Sequence, residues 1–218
     1  MGRKYGIINN QGKPITGLVF IELEDFNGGV AWMRKDSLTG KSYTTCSYGL
    51  IDKTGKEIFA PQFSEIPKFD SKGNAIAEMY ENRVIRAPKF YGVINKDGRI
   101  LLKLEYKNIV AEGDQYLVCN KNDKWSILSN DFKQVGGEFE EFKTTQKKLS
   151  TFYFMDGLMI AKKDGKYGFI DKTAKTIIQF KYDVVNPFGF THGLCAVKEG
   201  DYWASDIVTG KQIGRAHF

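Results

Sequence analysis

The feature that most constrains this chain is a short motif that recurs along it at nearly regular intervals. In each copy an aromatic residue, usually followed by glycine, precedes two apolar residues and a polar turn. The most complete copy spans residues 162–183, KKDGKYGFIDKTAKTIIQFKYD, with Tyr167 and Gly168 at its centre. A period of about 20–50 residues is typical of tandem units that bury their apolar faces against one another, so it restricts the fold class.

Aligned on the aromatic residue, the chain contains five copies and a sixth, degenerate one. We call these residues the anchors and number the repeats 1 to 6 after them. The intervals between anchors are 43, 43, 34, 42 and 35 residues. The anchors are Tyr5, Tyr48, Tyr91, Trp125, Tyr167 and, in the degenerate copy, Tyr202. Glycine follows the anchor at Gly6, Gly49, Gly92 and Gly168, whereas Ser126 takes its place in repeat 4.

A polar segment begins four residues after each of the first five anchors. The segments read NNQGK, DKTGK, NKDGR, SNDFK and DKTAK. A polar side chain that bonds its own backbone, followed by glycine where φ must be positive, predicts a tight reversal between two strands. Phe132 and Ala174 replace that glycine in repeats 4 and 5, and they predict a turn of altered type or some backbone strain.

Each repeat is predicted to contain three strands. In repeat 5 they are residues 158–162, 166–171 and 176–182, which show the two-residue alternation and the β-branched and aromatic content of strands. No segment shows a helical period. One ring per repeat at a fixed position predicts a packing role for the anchors, and the glycine beside each ring would let another backbone approach closely.

The motif resembles that of the WG repeat family, in which a G-L-A-x-V strand leads into a KDGKWG-like turn and an apolar run ends on Tyr-Asp. Residues 193–197, GLCAV, and residues 180–183, FKYD, match the two ends of that pattern. Tyrosine replaces tryptophan at most anchors. The resemblance covers nearly the whole chain, and it implies tandem β units used for interaction rather than catalysis.

The repeats predict an all-β fold in which about five three-stranded antiparallel units form one continuous domain over residues 1–218. The first repeat is entered at its anchor, without a first strand before it. We expect an open, solenoid-like array, and the alternative is a propeller-like closed ring. With 42% hydrophobic and 14% aromatic residues, the composition is that of a folded protein.

Two hairpins are predicted to be longer than their counterparts. The distance from first strand to anchor is 18 residues in repeat 2 and 17 in repeat 3, against 8 or 9 in the later repeats. Insertions at one place in successive repeats fall on one face, which is often the binding face, although they can also be simple long hairpins. The candidate partner-binding residues on the two hairpins are Arg34, Lys35, Lys41, Tyr43, Arg83, Arg86 and Lys89.

A third insertion, residues 144–154, occupies a different connector. It carries three consecutive rings, Phe152, Tyr153 and Phe154, which we expect to be buried against the adjacent repeat rather than displayed.

The net charge of +6, from 32 basic and 26 acidic residues, is a mild bias. Much of it lies in the polar turns, where lysine keeps strand edges from pairing. Without a dense basic run or a recognisable motif, this charge does not favour nucleic acid as the partner. No run approaches the ~18 apolar residues of a membrane span, and the N-terminus shows no apolar signal segment, so we expect a cytoplasmic protein.

The sequence shows no catalytic or metal-binding pattern. Cys46, Cys119 and Cys195 lack the CxxC spacing of zinc sites, and we expect Cys119 and Cys195 to be small core residues. His192 and His217 are the only histidines, too few for a histidine-based triad or metal site. We therefore expect neither a cofactor nor enzyme activity.

These observations favour a non-catalytic protein–protein interaction module. A narrower hypothesis is a bacterial immunity or adaptor protein that binds and blocks a toxin or effector. The alternative is a repeat protein that binds a carbohydrate or a cell-surface ligand, for which Trp32, Tyr43 and Trp203 offer stacking rings. A remote alternative is a hydrolase that uses unmarked carboxylates.

Overall fold

The described part of the chain is built from strands, turns and connecting segments. The structure is a computed structural model, and it describes residues 3–35, 48–81, 88–143, 145–147, 150–152, 154–186, 189–190 and 193–207. The predicted all-β class is confirmed for these residues. None of them belongs to a helix that is long and apolar enough to cross a bilayer.

The described residues form strands in a regular succession that follows the repeats. In repeat 5 the three predicted strands agree with β16, β17 and β18 to within one residue at each end. In chain order the strands are β1 Phe20–Leu23, β2 Val30–Lys35, β3 Tyr48–Asp52, β4 Glu57–Phe63, β5 Asn74–Tyr80, β6 Lys89–Asn95, β7 Ile100–Tyr106, β8 Asn108–Glu112, β9 Gln115–Cys119, β10 Trp125–Leu128, β11 Gln134–Phe139, β12 Glu141–Lys143, β13 Thr145–Lys147, β14 Ser150–Phe152, β15 Phe154–Met155, β16 Leu158–Lys163, β17 Lys166–Ile170, β18 Thr176–Tyr182, β19 Val184–Val185, β20 Leu194–Glu199 and β21 Tyr202–Ile207.

The sheets are antiparallel, and they are wider than the sequence predicted. Within a repeat the first strand, the anchor strand and the third strand pair in that order, as β2, β3 and β4 do in repeat 2. A further strand from the end of the previous repeat pairs with the first strand: β1 with β2, β8 with β9, β12 with β16 and β19 with β20. In repeats 4 and 5 this further strand gives a path of four paired strands, and in the first half of the chain it joins repeats 2 and 3 with β1 in one sheet of seven strands.

The anchor strand and the third strand keep a constant register in four repeats. Each tyrosine anchor pairs with a residue fifteen positions further on; the pairs are Tyr5–Phe20, Tyr48–Phe63, Tyr91–Tyr106 and Tyr167–Tyr182. Register shifts between these pairs mark bulges opposite the glycine. A Cβ added at Gly92 would lie 2.6 Å from the carbonyl oxygen of Leu102, which confirms the close approach predicted beside each anchor.

In repeat 4 the small residue of this contact lies on the third strand and the larger one on the anchor strand, the reverse of the other repeats. In repeats 2, 3 and 5 the third strand places Pro61, Leu104 or Phe180 against the glycine, within 3 Å of where a Cβ would lie. At the corresponding place in repeat 4 the third strand has Gly137, where an added Cβ would meet nothing within 4 Å. The glycine position itself is occupied by the buried Ser126. In repeat 4 the larger side chain at this contact is thus on the anchor strand, whereas in repeats 2, 3 and 5 it is on the third strand.

The polar turns share one hydrogen-bonding pattern. The side-chain oxygen of the first turn residue accepts the backbone N–H groups of the residues two and four positions later, in the turns that begin at Asn9, Asp52, Asn95 and Asp171. The fourth residue has positive φ whether it is glycine or not: Phe132 and Ala174 both have φ of 60°. The turn at Ala174 is therefore not of a different type, and the predicted strain is carried by an L-residue in the left-handed region.

Alternate side chains of each repeat face different neighbours, as the two-residue period of a strand requires. One set packs on the repeat before it, and in repeat 2 that set comprises Ala31, Met33 and Ile51, which contact Ile7 and Phe20 of repeat 1. The other set packs on the repeat after it. In repeat 2 this second set includes Trp32, Leu50 and Phe59, which share a cluster with Ala75, Ala77 and Ile94 of repeat 3.

The same division holds in repeat 5. Met159, Ala161 and Ile170 pack with residues of repeat 4, whereas Leu158, Ile160 and Phe169 pack with Val185, Cys195 and Val197 towards repeat 6. We call the two sides of a repeat its preceding face and its following face. The hydrophobic cores of the described residues therefore lie between successive repeats rather than within one repeat.

The anchors differ in how deeply they are packed. Tyr167 is a buried core residue, and Tyr48 and Trp125 pack against the edges of clusters, in agreement with the predicted packing role. Tyr5 is 45% exposed, which the packing role predicted for the anchors did not anticipate.

The sixth anchor is displaced by one residue from its predicted position. β20 and β21 pair Lys198 with Trp203 and Val197 with Ala204. The corresponding pairs in repeat 5 are Lys162 with Tyr167 and Ala161 with Gly168. Because Val197, like Ala161, packs towards the preceding repeat, Trp203 and not Tyr202 occupies the anchor position.

The third insertion contains a small hairpin of its own, in which β13 pairs with β14. Phe154 is partly buried and packs against the cluster between repeats 4 and 5, so the burial expected for that ring is confirmed in part. The rings of Phe152 and Tyr153 lie outside the described part of the chain.

The chain divides into two compact units, Met1–Ile109 and Val110–Phe218. The first contains the seven-stranded sheet of β1 to β7, which carries repeats 1 to 3. The second contains the sheets built around repeats 4, 5 and 6. That the repeats form one continuous domain stays a prediction.

Candidate functional site

Two basic residues at the bases of the long hairpins each contact a carboxylate. They are Arg34, at the start of the first hairpin, and Lys89, at the end of the second. Arg34, near the end of β2, donates from Nη2 to Oε1 of Glu22 at 2.6 Å. Lys89, the first residue of β6, places its Nζ 2.6 Å from Oε1 of Glu78. The carboxylates offset part of the basic charge that the sequence indicated on this surface.

Of the five other predicted partner-binding residues, the structure describes one. Lys35, the last residue of β2, forms an ion pair with Glu57. Lys41, Tyr43, Arg83 and Arg86 lie outside the described residues. The structure thus brings Arg34, Lys35 and Lys89 into ion pairs, and the role of the whole set in binding stays a prediction.

The same cations lie over aromatic rings. The Cζ atom of Arg34 is 5.7 Å from the centroid of the Tyr48 ring, and Nζ of Lys89 is 5.2 Å from that of Tyr80. Cations within about 6 Å of a ring centroid are attracted by its quadrupole. Ion pair and ring together fix the direction of each side chain at the base of its hairpin.

Glu78 is the centre of a polar network at the base of the second hairpin. Its Oε1 accepts a hydrogen bond from Oγ of Ser64 at 2.5 Å, in addition to the contact with Lys89. Burial alone would raise the pKa of Glu78, but the hydrogen bonds from Lys89, Ser64 and Tyr91 outweigh it and hold the pKa below its ordinary value. The hydrogen bond to Glu78 raises the pKa of Lys89, and burial raises the pKa of Tyr91.

These pKa shifts favour the protonation states in which the three groups stabilise one another. At neutral pH Glu78 is ionised, Lys89 is charged and Tyr91 is neutral, so each group is in the form that its neighbours stabilise. A general base or acid works best when its pKa lies near the operating pH, and these shifts move each group away from neutrality.

The two hairpins start close together in the first compact unit. Arg34 pairs with Tyr48, Tyr48 with Phe63, and Phe63 with Met79, so the ends of β2 and β5 lie in one row across four strands. Neighbouring strands are about 4.8 Å apart, which places the bases of the hairpins about 15 Å from each other. One partner surface of ordinary size spans that distance.

A cavity of about 590 Å³ opens in the first compact unit, on the following face of repeat 2. Its apolar wall consists of Trp32 on β2 and of Ile66, Pro67 and Phe69 in the connector between β4 and β5. The ring centroids of Trp32 and Phe69 are 6.5 Å apart at an interplanar angle of 31°. Trp32 is only 9% exposed, because its edge packs on Phe63, whereas Phe69 is 36% exposed.

Polar side chains form the rim of this cavity. Glu24 and Asp25 contribute from the connector between β1 and β2, and Lys96 contributes from the turn after β6. Asp70 uses its Oδ1 to accept the N–H groups of Lys72 and Asn74, at 2.8 and 2.9 Å, which fixes the connector that carries Phe69. An apolar wall with a polar, mostly acidic rim is the arrangement of a small-ligand pocket.

The sequence reasoning found only part of this cavity. Trp32 was identified as a stacking ring, and the structure places it in the wall. Phe69 and Asp70 were missed, although residues 70–74, DSKGN, repeat the D-x-x-G signal of the polar turns and mark an additional ordered reversal. Tyr43 lies outside the described residues, and so does the side chain of Trp203.

Two cysteines have the core positions predicted for them. Cys119 and Cys195 are buried in the first strands of repeats 4 and 6. Burial raises the pKa of the Cys195 thiol to about 11. Cys46, His192 and His217 lie outside the described residues, and no three metal-ligating side chains cluster among those that are described.

Solved structures to which the chain is similar include BamB, a domain of Doa1 and a segment of HIRA. BamB from Moraxella catarrhalis is 11% identical, with a TM-score of 0.35, and the match covers 86% of this chain and 61% of that one. The WD40 β-propeller domain of Doa1 is 10% identical, with a TM-score of 0.28 and coverages of 80% and 59%. A crystal structure of HIRA residues 644–1017 is 9% identical, with a TM-score of 0.31 and coverages of 67% and 53%.

The chain spans just over half of the length of these solved structures. A search of the curated proteins finds no match.

The family comparison agrees with the repeat structure. The model described as "WG containing repeat" matches residues 5–38, 48–82, 91–125 and 167–203, each segment beginning at an anchor. The segment that begins at Trp125, where Ser126 replaces the glycine, is not matched as a separate repeat. The matched segments account for more than half of the chain and carry the anchors, the polar turns and the strand pairings described above, and the chain therefore belongs to the WG repeat family.

Proposed function

We propose that this protein is a non-catalytic protein-binding module that grips its partner with the two long hairpins of repeats 2 and 3. The observation that carries the proposal is the common row that joins the ends of β2 and β5. The residues that flank the two insertions lie about 15 Å apart, a distance that one interface of about 800 Å² per partner covers.

The anchored cations give this surface a defined geometry. Arg34 and Lys89 are held by Glu22 and Glu78, so they lose little conformational entropy when a partner binds. Arginine and tyrosine are the residue types that dominate interface hot spots, and the hairpins add Tyr43, Arg83 and Arg86 to the set.

A narrower form of the proposal is that the module blocks its partner, as a bacterial immunity or adaptor protein blocks a toxin or effector in the cytoplasm. The supporting argument is that a repeat surface with two insertions side by side suits the masking of a partner's site. We also propose that the repeats continue as one open, solenoid-like array, since each described core lies between successive repeats.

The test is to replace residues 36–47 and 82–87 each by Asn-Gly and to compare partner capture with the unmodified protein. These replacements keep Arg34, Lys35 and Lys89 and their carboxylates. We expect nearly unchanged thermal stability, because loops of this length contribute little to it, and loss of the partner from affinity capture read by mass spectrometry.

The matched control replaces residues 145–152, the β13–β14 hairpin, in the same way. This variant should retain the partner. Equal retention by both variants would move the binding site away from the long hairpins, and loss of the fold in the first variant would show that they serve as structure.

A second candidate function is carbohydrate binding in the cavity of repeat 2, favoured by the exposed ring of Phe69 beside Trp32. Sugars stack on exposed rings and bond to carboxylates such as those of the rim. We expect Phe69→Ala to abolish any signal on a glycan array. Phe26→Ala is the matched control, because Phe26 is equally exposed but does not line the cavity. No signal from the unmodified protein would eliminate this candidate.

A further inference from the structure

The cavity of repeat 2 lies at the ends of the strands that are opposite to the bases of the long hairpins. Its lining includes Val30, the first residue of β2, and Lys96, which follows the last residue of β6. The hairpin bases are at Lys35, the last residue of β2, and at Lys89, the first residue of β6. Along β2 the step from Val30 to Lys35 corresponds to about 17 Å. A ligand in the cavity would therefore leave the hairpin bases accessible to a partner.

Two aromatic rings give the cavity a wall that can attract a cation. Trp32 and Phe69 both line it, and their ring centroids are 6.5 Å apart. Trp32 is almost fully buried, whereas Phe69 is exposed. The face of an aromatic ring attracts a cation within about 6 Å of its centroid, and tryptophan does so more strongly than tyrosine or phenylalanine. The wall therefore suits an apolar group that carries a positive charge.

The charged residues around the wall favour a ligand of the same sign. Glu24, Asp25 and Asp70 contribute three carboxylates to the lining, against the ammonium groups of Lys72 and Lys96. Glu24 and Asp25 are exposed residues of one connector, so a ligand can approach them from solvent. Opposite charges beside an apolar wall attract each other more strongly than they do in bulk water. The excess of carboxylates therefore favours a cation over an anion.

The two connectors that carry these groups are held by backbone hydrogen bonds. The N–H group of Glu24 donates to the carbonyl oxygen of Trp32 at 2.9 Å, which fixes the connector between β1 and β2 on the wall. The N–H group of Lys96 donates to the carbonyl oxygen of Gly73 at 2.9 Å, which fixes the connector between β4 and β5. A site whose parts are already in place loses less conformational entropy when it binds a ligand.

We propose that this cavity binds a small organic cation whose positive charge is an alkylated ammonium group. The alkyl groups pack on Trp32 and Phe69, and the charge is balanced by Glu24 and Asp25. The cavity volume of about 590 Å³ lies in the range of small-molecule sites, roughly 300–1,000 Å³.

The proposal goes beyond both functions proposed above. It assigns the cavity a ligand of another class than a carbohydrate, because a neutral sugar would make no use of the excess of carboxylates. It does not depend on partner binding by the hairpins, which lie at the other ends of the strands.

The test is a calorimetric titration of the full chain with choline and with its uncharged isostere, in which carbon replaces the quaternary nitrogen. We expect choline to bind at least about tenfold more tightly than the isostere, because only choline gains from the rings and the carboxylates as a cation. This comparison uses the unmodified protein, so it holds even if a variant is unstable.

Three variants separate the contributions of ring and charge. Phe69→Ala should weaken choline binding about fivefold through loss of the exposed ring. Glu24→Gln with Asp25→Asn should weaken it about tenfold, and Lys96→Gln should strengthen it, because that change removes a like charge from the lining. Opposite effects of the acidic and basic replacements are not expected from a general loss of structure.

The matched controls are Phe26→Ala and Glu105→Gln, since both residues are exposed and neither lines the cavity. Both variants should bind choline like the unmodified protein. The variant with both long hairpins shortened should also bind it unchanged, so failure of the hairpin proposal and failure of the cation site are distinguishable.

The proposal would be overturned if choline did not bind at concentrations up to about 10 mM. Equal affinity for choline and its isostere, or unchanged affinity after replacement of Glu24 and Asp25, would also overturn it. Binding of a neutral glycan without binding of choline would favour the carbohydrate candidate and contradict the cation site.

Discussion

At the scale of single residues, the repeat is defined by a close contact beside the anchor more than by the anchor ring itself. Tyr5, Tyr48 and Tyr167 differ widely in burial, yet the glycine that follows each of them is approached by third-strand backbone within 3 Å of a would-be Cβ. The sequence pattern allowed this contact to be predicted, because glycine in a strand signals close approach. The sequence pattern gave no information on how deeply each anchor ring would be buried.

The first prediction concerns that contact. Gly92→Ala would bring a Cβ to 2.6 Å from the carbonyl oxygen of Leu102 and 2.8 Å from Cα of Leu104, and backbone cannot yield as a flexible side chain does. We expect the free energy of unfolding, measured by urea denaturation, to fall by about 1–3 kcal/mol. Gly137→Ala is the matched control and should be nearly neutral, because an added Cβ meets nothing there and φ is not positive.

The second prediction concerns the pH dependence of Glu78. Its pKa is lower in the folded protein than in the unfolded chain, so its ionised form stabilises the fold above the unfolded value of about 4.5. That contribution is lost as the pH falls through the folded pKa. Glu78→Gln should therefore destabilise the protein at pH 7, and the difference from the unmodified protein should shrink as the pH is lowered below about 4.5.

Denaturation curves at pH 7, 5 and 3 check this dependence. Asp131→Asn is the control: Asp131 pairs with Lys133 on the surface, where solvent screens the interaction, and its replacement should have no resolvable effect. A Glu78→Gln deficit that stays constant from pH 7 to pH 3 would contradict the linkage argument.

At the scale of the strands and turns, local signals predicted well and contacts between repeats did not. The three strands of repeat 5 and the turns that begin at Asp52 and Asp171 follow from two-residue alternation and from side chains that bond their own backbone. The fourth strand of the sheets escaped prediction, because its pairing joins the end of one repeat to the start of the next. The wall of the cavity could not be predicted either, because Phe69 lies in a connector outside the repeated motif.

The third prediction tests the assignment of neighbouring residues to different cores. Leu50 and Ile51 are adjacent in β3, but Leu50 packs towards repeat 3 and Ile51 towards repeat 1. Ile94 of repeat 3 shares the cluster of Leu50. In double-mutant cycles, Leu50→Ala should couple to Ile94→Val by at least about 0.5 kcal/mol and should be additive with Ile51→Val to within about 0.3–0.5 kcal/mol. Stronger coupling between the two adjacent residues would contradict the division into two faces.

At the scale of the whole molecule, the chain is a succession of cores that each need two repeats. This organisation could be predicted from the period alone, because a unit of three strands cannot cover both of its faces. The hairpin surface is predicted only by counting the intervals between strands and anchors, and Lys41, Tyr43, Arg83 and Arg86 lie outside the described residues. The carboxylates that hold Arg34 and Lys89 could not be foreseen, because Glu22 and Glu78 reach them across the sheet.

The fourth prediction concerns the open array proposed above. A compact globular chain of 218 residues has a radius of gyration of about 17 Å. An open, solenoid-like succession of repeats should give a clearly larger value in small-angle X-ray scattering, extrapolated to zero protein concentration. A value near 17 Å would instead favour a closed ring.

The exchange between Ser126 and Gly137 depends on the backbone path of the third strand as well as on side-chain size. A Cβ at Gly92 would lie 2.6 Å from the carbonyl oxygen of Leu102 and 2.8 Å from Cα of Leu104, so removing the Leu104 side chain alone would not make room for a serine. In repeat 4 the anchor pairs with Phe139, fourteen residues further on instead of fifteen. Loss of the glycine after an anchor therefore requires a different path of the facing strand, and a single substitution by serine in repeat 2, 3 or 5 is not expected to be accommodated without one.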